Sequence, residues 1–152
     1  MRRVLCVLLA MLALLPGCER VESQPAEGAW YLRDTPNGPV WEQAGFTPAS
    51  EDPAEQCAEV LAALQAPPEG LRAALPAEVQ VLSIRVVSNV TYVNFSSEYA
   101  ALSPGDRSIA CAAVVHSLLQ LKGLHYVSVS AEGKAQSPTY ERYCTLGTFI
   151  LE

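Results

Sequence analysis

The chain has 152 residues, enough for one domain of ordinary size, and a formal net charge of −6 at pH 7. Acids outnumber bases by sixteen to ten. We therefore do not expect it to bind nucleic acid, or to bind anionic lipid by charge. Half of the residues are apolar, and part of that excess lies in one N-terminal run.

The N-terminus has the composition of a secretory signal. Arg2 and Arg3 precede an apolar run, residues 4–15, which is too short to span a bilayer because a spanning helix needs roughly 20 residues. Leu15-Pro16-Gly17-Cys18 then resembles a bacterial lipobox, in which the cysteine is lipidated and becomes the new N-terminus. The alternative is an ordinary cysteine within a leader. We predict a lipoprotein signal peptide over residues 1–17 and a diacyl anchor on Cys18, which would hold the chain at the extracytoplasmic face of the cell membrane.

The mature chain is predicted to contain a tether, residues 18–28, and one domain, residues 29–152. The tether is acidic and polar, with nothing to bury. The domain would open with a strand at residues 29–33, a turn at residues 34–39 and a returning strand at residues 40–43. This hairpin would bring Trp30 and Trp41 near each other, either as a binding platform or, more commonly, as ordinary packing.

Two helices have clear signals. Asp52 can cap the first helix, Pro53 suits its first position, and Ala66-Pro67-Pro68 ends it. The second is predicted to open at Ser103-Pro104 and to run to Lys122, in its last turn, with Gly123 as the stop. Each helix shows one apolar stripe, which predicts a single buried face.

Strand patterns surround the second helix. Residues 79–87 and 90–95 are predicted to pair through a short turn, in which Asn89 would tolerate a positive φ. A further strand containing Val127 and Val129 would end before Glu132-Gly133-Lys134, and residues 136–141 read as loose. Residues 148–151 are a candidate last strand. The predicted core combines residues of the β-α-β unit and of the first helix: Val93, Phe95, Cys111, Val114, Leu118, Val127, Val129, Cys57, Leu61 and Leu64.

The residues that could do chemistry do not form a recognisable set. The acids are scattered, His116 has no evident catalytic partner, and no nucleotide-binding or nucleophile motif is present. After Cys6 and Cys18, three cysteines remain, which allows buried thiols or a Cys57–Cys111 or Cys111–Cys144 bridge. No spacing favours a zinc site, and we predict no metal and no cofactor.

Three stretches together resemble the GerMN domain of sporulation and spore-germination lipoproteins of the GerM type. They are the leucine-rich helix end at residues 61–68, the strand at residues 93–99, and the helix and strand from Val114 to Lys134, in which Ser117 stands for the family's threonine. The resemblance implies an α+β fold, a small and mostly antiparallel sheet with two helices packed on one face, similar to ring-building modules of secretion systems. It also implies a non-enzymatic envelope protein.

Three functions remain as hypotheses. The first is an anchored module that assembles with other envelope proteins or with itself, linked to sporulation or germination. The candidate contact residues of this module are the exposed cations on the final helix, Arg107 and Lys122, and the two tryptophans, Trp30 and Trp41. The second is a small-ligand or cell-wall glycan binder that uses Trp30, Tyr31 and Trp41. The third is an envelope enzyme, which a buried carboxylate pair in a cleft would favour.

Overall fold

The structure is a computed structural model that describes residues 28–136 and the backbone of residues 140–141. The predicted signal peptide, Cys18, Cys144 and the candidate strand at residues 148–151 lie outside the described residues. Within the described ranges, no helix has both the length and the apolar character needed to cross a membrane.

The chain begins with the predicted hairpin, which forms a two-stranded sheet of its own. Strand β1 (Gly28–Thr35) pairs antiparallel with β2 (Gly38–Gly45). Both strands are longer than the sequence indicated, because the turn needs only two residues. The Thr35 hydroxyl donates to the Gly38 carbonyl at 2.6 Å, and Gly38 takes a φ of 108°, which glycine adopts at low cost.

Helix α1 (Pro53–Gln65) follows the sequence signals closely. The Asp52 carboxylate accepts hydrogen bonds from the backbone N–H groups of Ala54 and Glu55, and the helix ends just before Ala66-Pro67. The reciprocal half of the capping box is absent, because Glu55 instead accepts a hydrogen bond from the Ser50 hydroxyl.

The main sheet has five strands in the order β3-β4-β5-β6, with β7 also on β5. Strands β3 (Val81–Val87) and β4 (Val90–Phe95) are antiparallel, and β4 is parallel to β5 (Tyr126–Ala131). Strands β6 (Lys134–Ala135) and β7 (Tyr140–Glu141) pair antiparallel with β5, so the end of the stretch expected to be loose forms a short strand. In the β3–β4 turn, Ser88 rather than Asn89 has the positive φ, 57°.

The crossover from β4 to β5 contains two helices instead of one. Helix α2 (Ser97–Ala101) is a short addition that the sequence reading missed; it buries Tyr99, whose ring stacks on Phe95. Helix α3 (Pro104–Leu118) opens as predicted, with the Ser103 hydroxyl accepting from the Asp106 N–H. It ends earlier than predicted, at Leu118, because the chain then turns through i→i−3 hydrogen bonds toward Gly123. Lys122 is therefore outside the helix.

The core lies between the inner face of the main sheet and the helices α1 and α3, which also contact β1. All ten residues predicted for the core are buried, none of them more than 5% exposed. The α+β fold class is confirmed, with two differences: the hairpin is a separate sheet, and one central pair of the main sheet is parallel. A parallel pair needs a crossover, which α2 and α3 supply.

Helix α3 is not amphipathic in the structure. Every residue from 110 to 119 except His116 is buried. The main sheet and α1 contact this helix on one side, and β1 packs along another side, where Ser117 bonds to Trp30. The prediction of a single buried face is therefore wrong for this helix over residues 110–119.

Candidate functional site

An open cleft of about 140 Å³ lies where the hairpin, α1 and the end of α3 meet. The loop after β2 supplies Phe46, Thr47 and Pro48, and Val60 on α1 adds a further apolar wall. The opposite wall is the C-terminal end of α3 and the turn after it, residues 117 and 120–122. Gly28, the first described residue, lies at the edge of the cleft.

The base of the cleft is fixed by hydrogen bonds between α3 and β1. The Ser117 hydroxyl accepts from the Trp30 backbone N–H at 3.0 Å, and Gln120 Oε1 accepts from the Gly28 N–H at 3.0 Å. Gln120 Nε2 in turn donates to the His116 carbonyl at 3.0 Å. The first two bonds satisfy the N–H groups of Gly28 and Trp30 on the edge of β1 that faces away from β2, and Leu32 on the same edge pairs with Arg72. Two polar side chains of an otherwise buried helix end therefore hold the hairpin in place.

Side chains of α1 hold the loop that forms the other wall of the cleft through hydrogen bonds. Both carboxylate oxygens of Glu59, on α1, accept backbone hydrogen bonds from the loop, from Ala49 at 2.6 Å and from Ser50 at 3.1 Å. Gln56 Nε2 donates to the Ser50 carbonyl at 2.9 Å. A loop whose backbone groups are satisfied by an adjacent helix keeps its shape, so the cleft exists before any ligand arrives.

Lys122 is the charged residue that lines this cleft. It is exposed, and no ion pair to it is seen within residues 28–136. Arg107 lies in the first turn of α3, and the helix between them is about 22 Å long. The Arg107 guanidinium donates to the Ala100 carbonyl at 3.0 Å, which ties α2 to α3. The two predicted contact cations therefore lie near opposite ends of α3 and do not form one patch.

The three aromatic residues considered as a glycan platform are not on one surface. Trp30 and Trp41 lie on the same face of the hairpin in diagonal positions, since Trp30 pairs with Gln43 and Trp41 with Leu32. Both are half-buried; Trp30 meets the His116 ring edge-on at 6.3 Å, and Trp41 packs against the core. Tyr31 points to the other face, is 2% exposed, and donates its hydroxyl to the Ala63 carbonyl at 3.0 Å.

A second accessible surface is the outer face of the main sheet. Alternation along the strands places Arg85 and Val87 of β3 there, with Val90, Tyr92 and Asn94 of β4. Tyr92 and Val87 are 39% and 46% exposed, and the Arg85 guanidinium lies 4.8 Å from the centre of the Tyr92 ring. No acid lies on this face of β3, β4 or β5, although the chain as a whole is acidic.

Two titratable side chains, Cys57 and Glu98, take part in local structural contacts. Burial raises the pKa of the Cys57 thiol to about 11, and its Sγ lies 4.0 Å from the Thr91 hydroxyl. Cys57 is a free thiol, so the Cys57–Cys111 bridge does not form, while Cys144 lies outside the described residues. A hydrogen bond from Ser96 holds the pKa of Glu98 below its ordinary value. Among described residues, no three His, Cys, Asp or Glu side chains cluster as metal ligands would.

Sequence reasoning missed the cleft, because its residues come from four separate segments. It did single out Lys122, and it aligned Ser117 with the family's threonine without finding the role of its hydroxyl. One signal was available: Ser117 and Gln120 are polar residues at i and i+3, beside an apolar stripe, where a polar group must find a partner if it is buried.

The separate hairpin, the three helices and the mixed five-stranded sheet make up the α+β architecture of GerMN domains. A family model described as "Germane: Sporulation and spore germination" matches residues 30–137. The chain therefore belongs to the Germane family, as the resemblance predicted. This family is linked to sporulation and spore germination and is not known as a family of enzymes.

Two solved structures are similar in fold. The first GerMN domain of the sporulation protein GerM from Bacillus subtilis has a TM-score of 0.56 and 24% identity, over 71% of this chain and 84% of that one. The tandem GerMN domains of the same protein give a TM-score of 0.52 and 18% identity, over 70% of this chain and 38% of that one. No curated protein matches the chain significantly.

Proposed function

We propose that this chain is a lipid-anchored extracytoplasmic lipoprotein whose domain assembles with other envelope proteins during sporulation or spore germination, binding without turnover. The observation that carries this proposal is the use of polar groups in the domain. Ser117, Gln120 and Glu59 hold the hairpin and the loop, and among the described residues no three His, Cys, Asp or Glu side chains cluster as metal ligands would. Membership of the Germane family supports the proposed link to sporulation and spore germination.

The accessible surfaces also suit binding. Exposed large apolar side chains, Val40, Leu82, Val87 and Tyr92, lie on strands rather than in loops. Val87 and Tyr92 share the outer face of the main sheet, and exposed apolar surface of this kind is typical of protein contact sites. A standard interface covers about 800 Å² on each partner, wide enough to include a cation at either end of α3.

The anchor is tested with Cys18→Ala. We expect this variant to leave the membrane fraction or to remain unprocessed, because the diacyl chains would supply the attachment. Fractionation and migration on gels measure the effect, and Cys6→Ala is the matched control within the leader. A Cys18→Ala protein that fractionates and migrates as the wild type does would contradict the lipoprotein assignment.

Assembly is tested by crosslinking in sporulating cells. The wild type should give adducts with envelope proteins, and Arg107→Glu and Lys122→Glu should each lower their yield while circular dichroism stays unchanged. Self-association would appear as an adduct of twice the chain mass. If the wild type gives no protein adducts but hydrolyses a cell-wall fragment, the assembly proposal is wrong and the enzyme alternative takes its place.

A further inference from the structure

The cleft at the end of α3 is too small for a typical ligand and large enough for one side chain. Small-molecule pockets usually measure about 300–1,000 Å³, whereas this cleft holds about 140 Å³. An engineered protein cavity of about 150 Å³ accommodates benzene, which sets the scale of a single aromatic ring or branched aliphatic group. By size, the cleft therefore suits one side chain that enters from outside.

The lining matches such a side chain with a charge next to it. Phe46, Val60 and Leu121 present apolar surface, and these residues come from three different segments that the Glu59 and Gln120 hydrogen bonds hold in place. Lys122 follows Leu121 directly and is the charged member of the lining. Thr47, Gln56, Ser117 and Gln120 also line the cleft, so its apolar surface is interrupted by polar groups. Apolar surface beside an exposed ammonium group is complementary to an apolar side chain whose neighbour carries a carboxylate.

We infer that this cleft is the socket for an anchor residue of a partner envelope protein: one aromatic or branched apolar side chain, with an Asp or Glu close to it in sequence. This inference rests on the proposed assembly function and names the surface that performs it. Preformed walls reduce the ordering cost of binding, so a single buried side chain can contribute a large share of the affinity. The net negative charge of this chain disfavours acidic partners in general, whereas Lys122 favours an acidic group at this cleft.

The test uses the full-length chain in cells, with a photo-crosslinking amino acid placed at one of two exposed positions. Ala49 lies one residue beyond Pro48 at the cleft, and Ser83 lies on the outer face of the main sheet. Adduct yield from Ala49 is then compared in four backgrounds. Thr47→Phe fills the cleft from an exposed position. Lys122→Glu reverses the charge at the cleft, and Lys122→Arg keeps that charge. Lys134→Glu is the matched control, a charge reversal on β6.

We expect Thr47→Phe and Lys122→Glu each to lower the yield from Ala49 by about tenfold or more, the loss that follows from removing an interface anchor. Lys122→Arg and Lys134→Glu should leave it unchanged. Mass spectrometry of the adduct should identify a partner peptide in which an apolar residue lies close to an acid.

Other outcomes separate the socket from the assembly function. Adducts from Ser83 but not from Ala49 would overturn the socket and leave assembly standing, and an absence of adducts at both positions would overturn both. Four results with Ala49 would also overturn the socket. The adduct could be insensitive to Thr47→Phe, or its partner peptide could contain no acid. It could also join two copies of this chain, or join Ala49 to the chain's own N-terminal segment.

Discussion

The hydrogen bond from the Trp30 backbone N–H to the Ser117 hydroxyl provides a direct test of how the hairpin is held. The two atoms are 3.0 Å apart, and Ser117 is only 1% exposed. Threonine keeps the hydroxyl and adds a methyl group, whereas valine has nearly the same shape without the hydroxyl. Comparing Ser117→Val with Ser117→Thr therefore isolates the hydrogen bond from any change in packing.

The expected difference in the free energy of unfolding follows from the Trp30 N–H, which loses its acceptor in Ser117→Val. A buried backbone N–H left without a hydrogen bond costs about 1–3 kcal/mol. The cost of fitting one more methyl group into a packed site is shared by both variants and drops out of the difference. We therefore expect the free energy of unfolding of Ser117→Val to be lower than that of Ser117→Thr by about 1–3 kcal/mol.

Urea denaturation of protein prepared without residues 1–17 measures this difference. Tryptophan fluorescence is a suitable probe, because Trp30 and Trp41 both lie on the hairpin. Ser108→Ala is a control on the exposed start of α3, where the hydroxyl donates to the Pro104 carbonyl, and it should change stability by less than about 0.5 kcal/mol. If the two Ser117 variants unfold within about 0.5 kcal/mol of each other, the hydroxyl does not hold β1 and the account of the hairpin is wrong.

Three further predictions concern the core, a helix cap and a thiol. Leu118→Ala should lower the free energy of unfolding by about 2–5 kcal/mol, since Leu118 is fully buried; a loss under about 0.5 kcal/mol in the same urea assay would place it on the surface. Asp52→Ala should cost about 0.5–2 kcal/mol through the lost cap, against almost nothing for its exposed neighbour in Glu51→Ala. The pKa of Cys57 rises from 9.0 to about 11 on burial, so its contribution to stability is complete below pH 9 and is lost as the pH rises through 11. Urea melts from pH 8 to 11 should show a smaller decline for Cys57→Ala than for the wild type, and equal declines would contradict the burial of the thiol.

Local signals predicted much of the fold. The Asp52 cap and Pro67 fixed the bounds of α1, and the alternation of Val127 and Val129 identified β5. Such signals act over one or two turns, where the chain alone decides the outcome. The family resemblance supplied the order of these elements and is confirmed by the family match.

Local sequence signals could not predict that α3 is buried on all sides over residues 110–119, apart from His116. A single stripe of Val114 and Leu118 predicts one covered face, but β1 covers another, and β1 lies more than 80 positions earlier in the chain. The cleft escaped prediction for the same reason, since its walls meet only in three dimensions. The early end of α3 at Leu118 is a further tertiary effect: Gly123 is in the left-handed conformation expected of a helix stop, but the chain leaves the helix before reaching it.

The bonds that fasten β1 to the end of α3 have a consequence for the order of folding. Trp30 and Gly28 find their acceptors 87 and 92 positions later, so an emerging chain can close the β1–β2 turn long before Ser117 and Gln120 exist. Until then this edge of β1 is uncovered at Gly28 and Trp30, and an uncovered edge invites pairing with other strands. Contacts of such sequence separation also slow folding. Truncations that stop before Gln120 should therefore aggregate through the hairpin, while the parallel β4–β5 pair, which also waits for α3, should be absent from them.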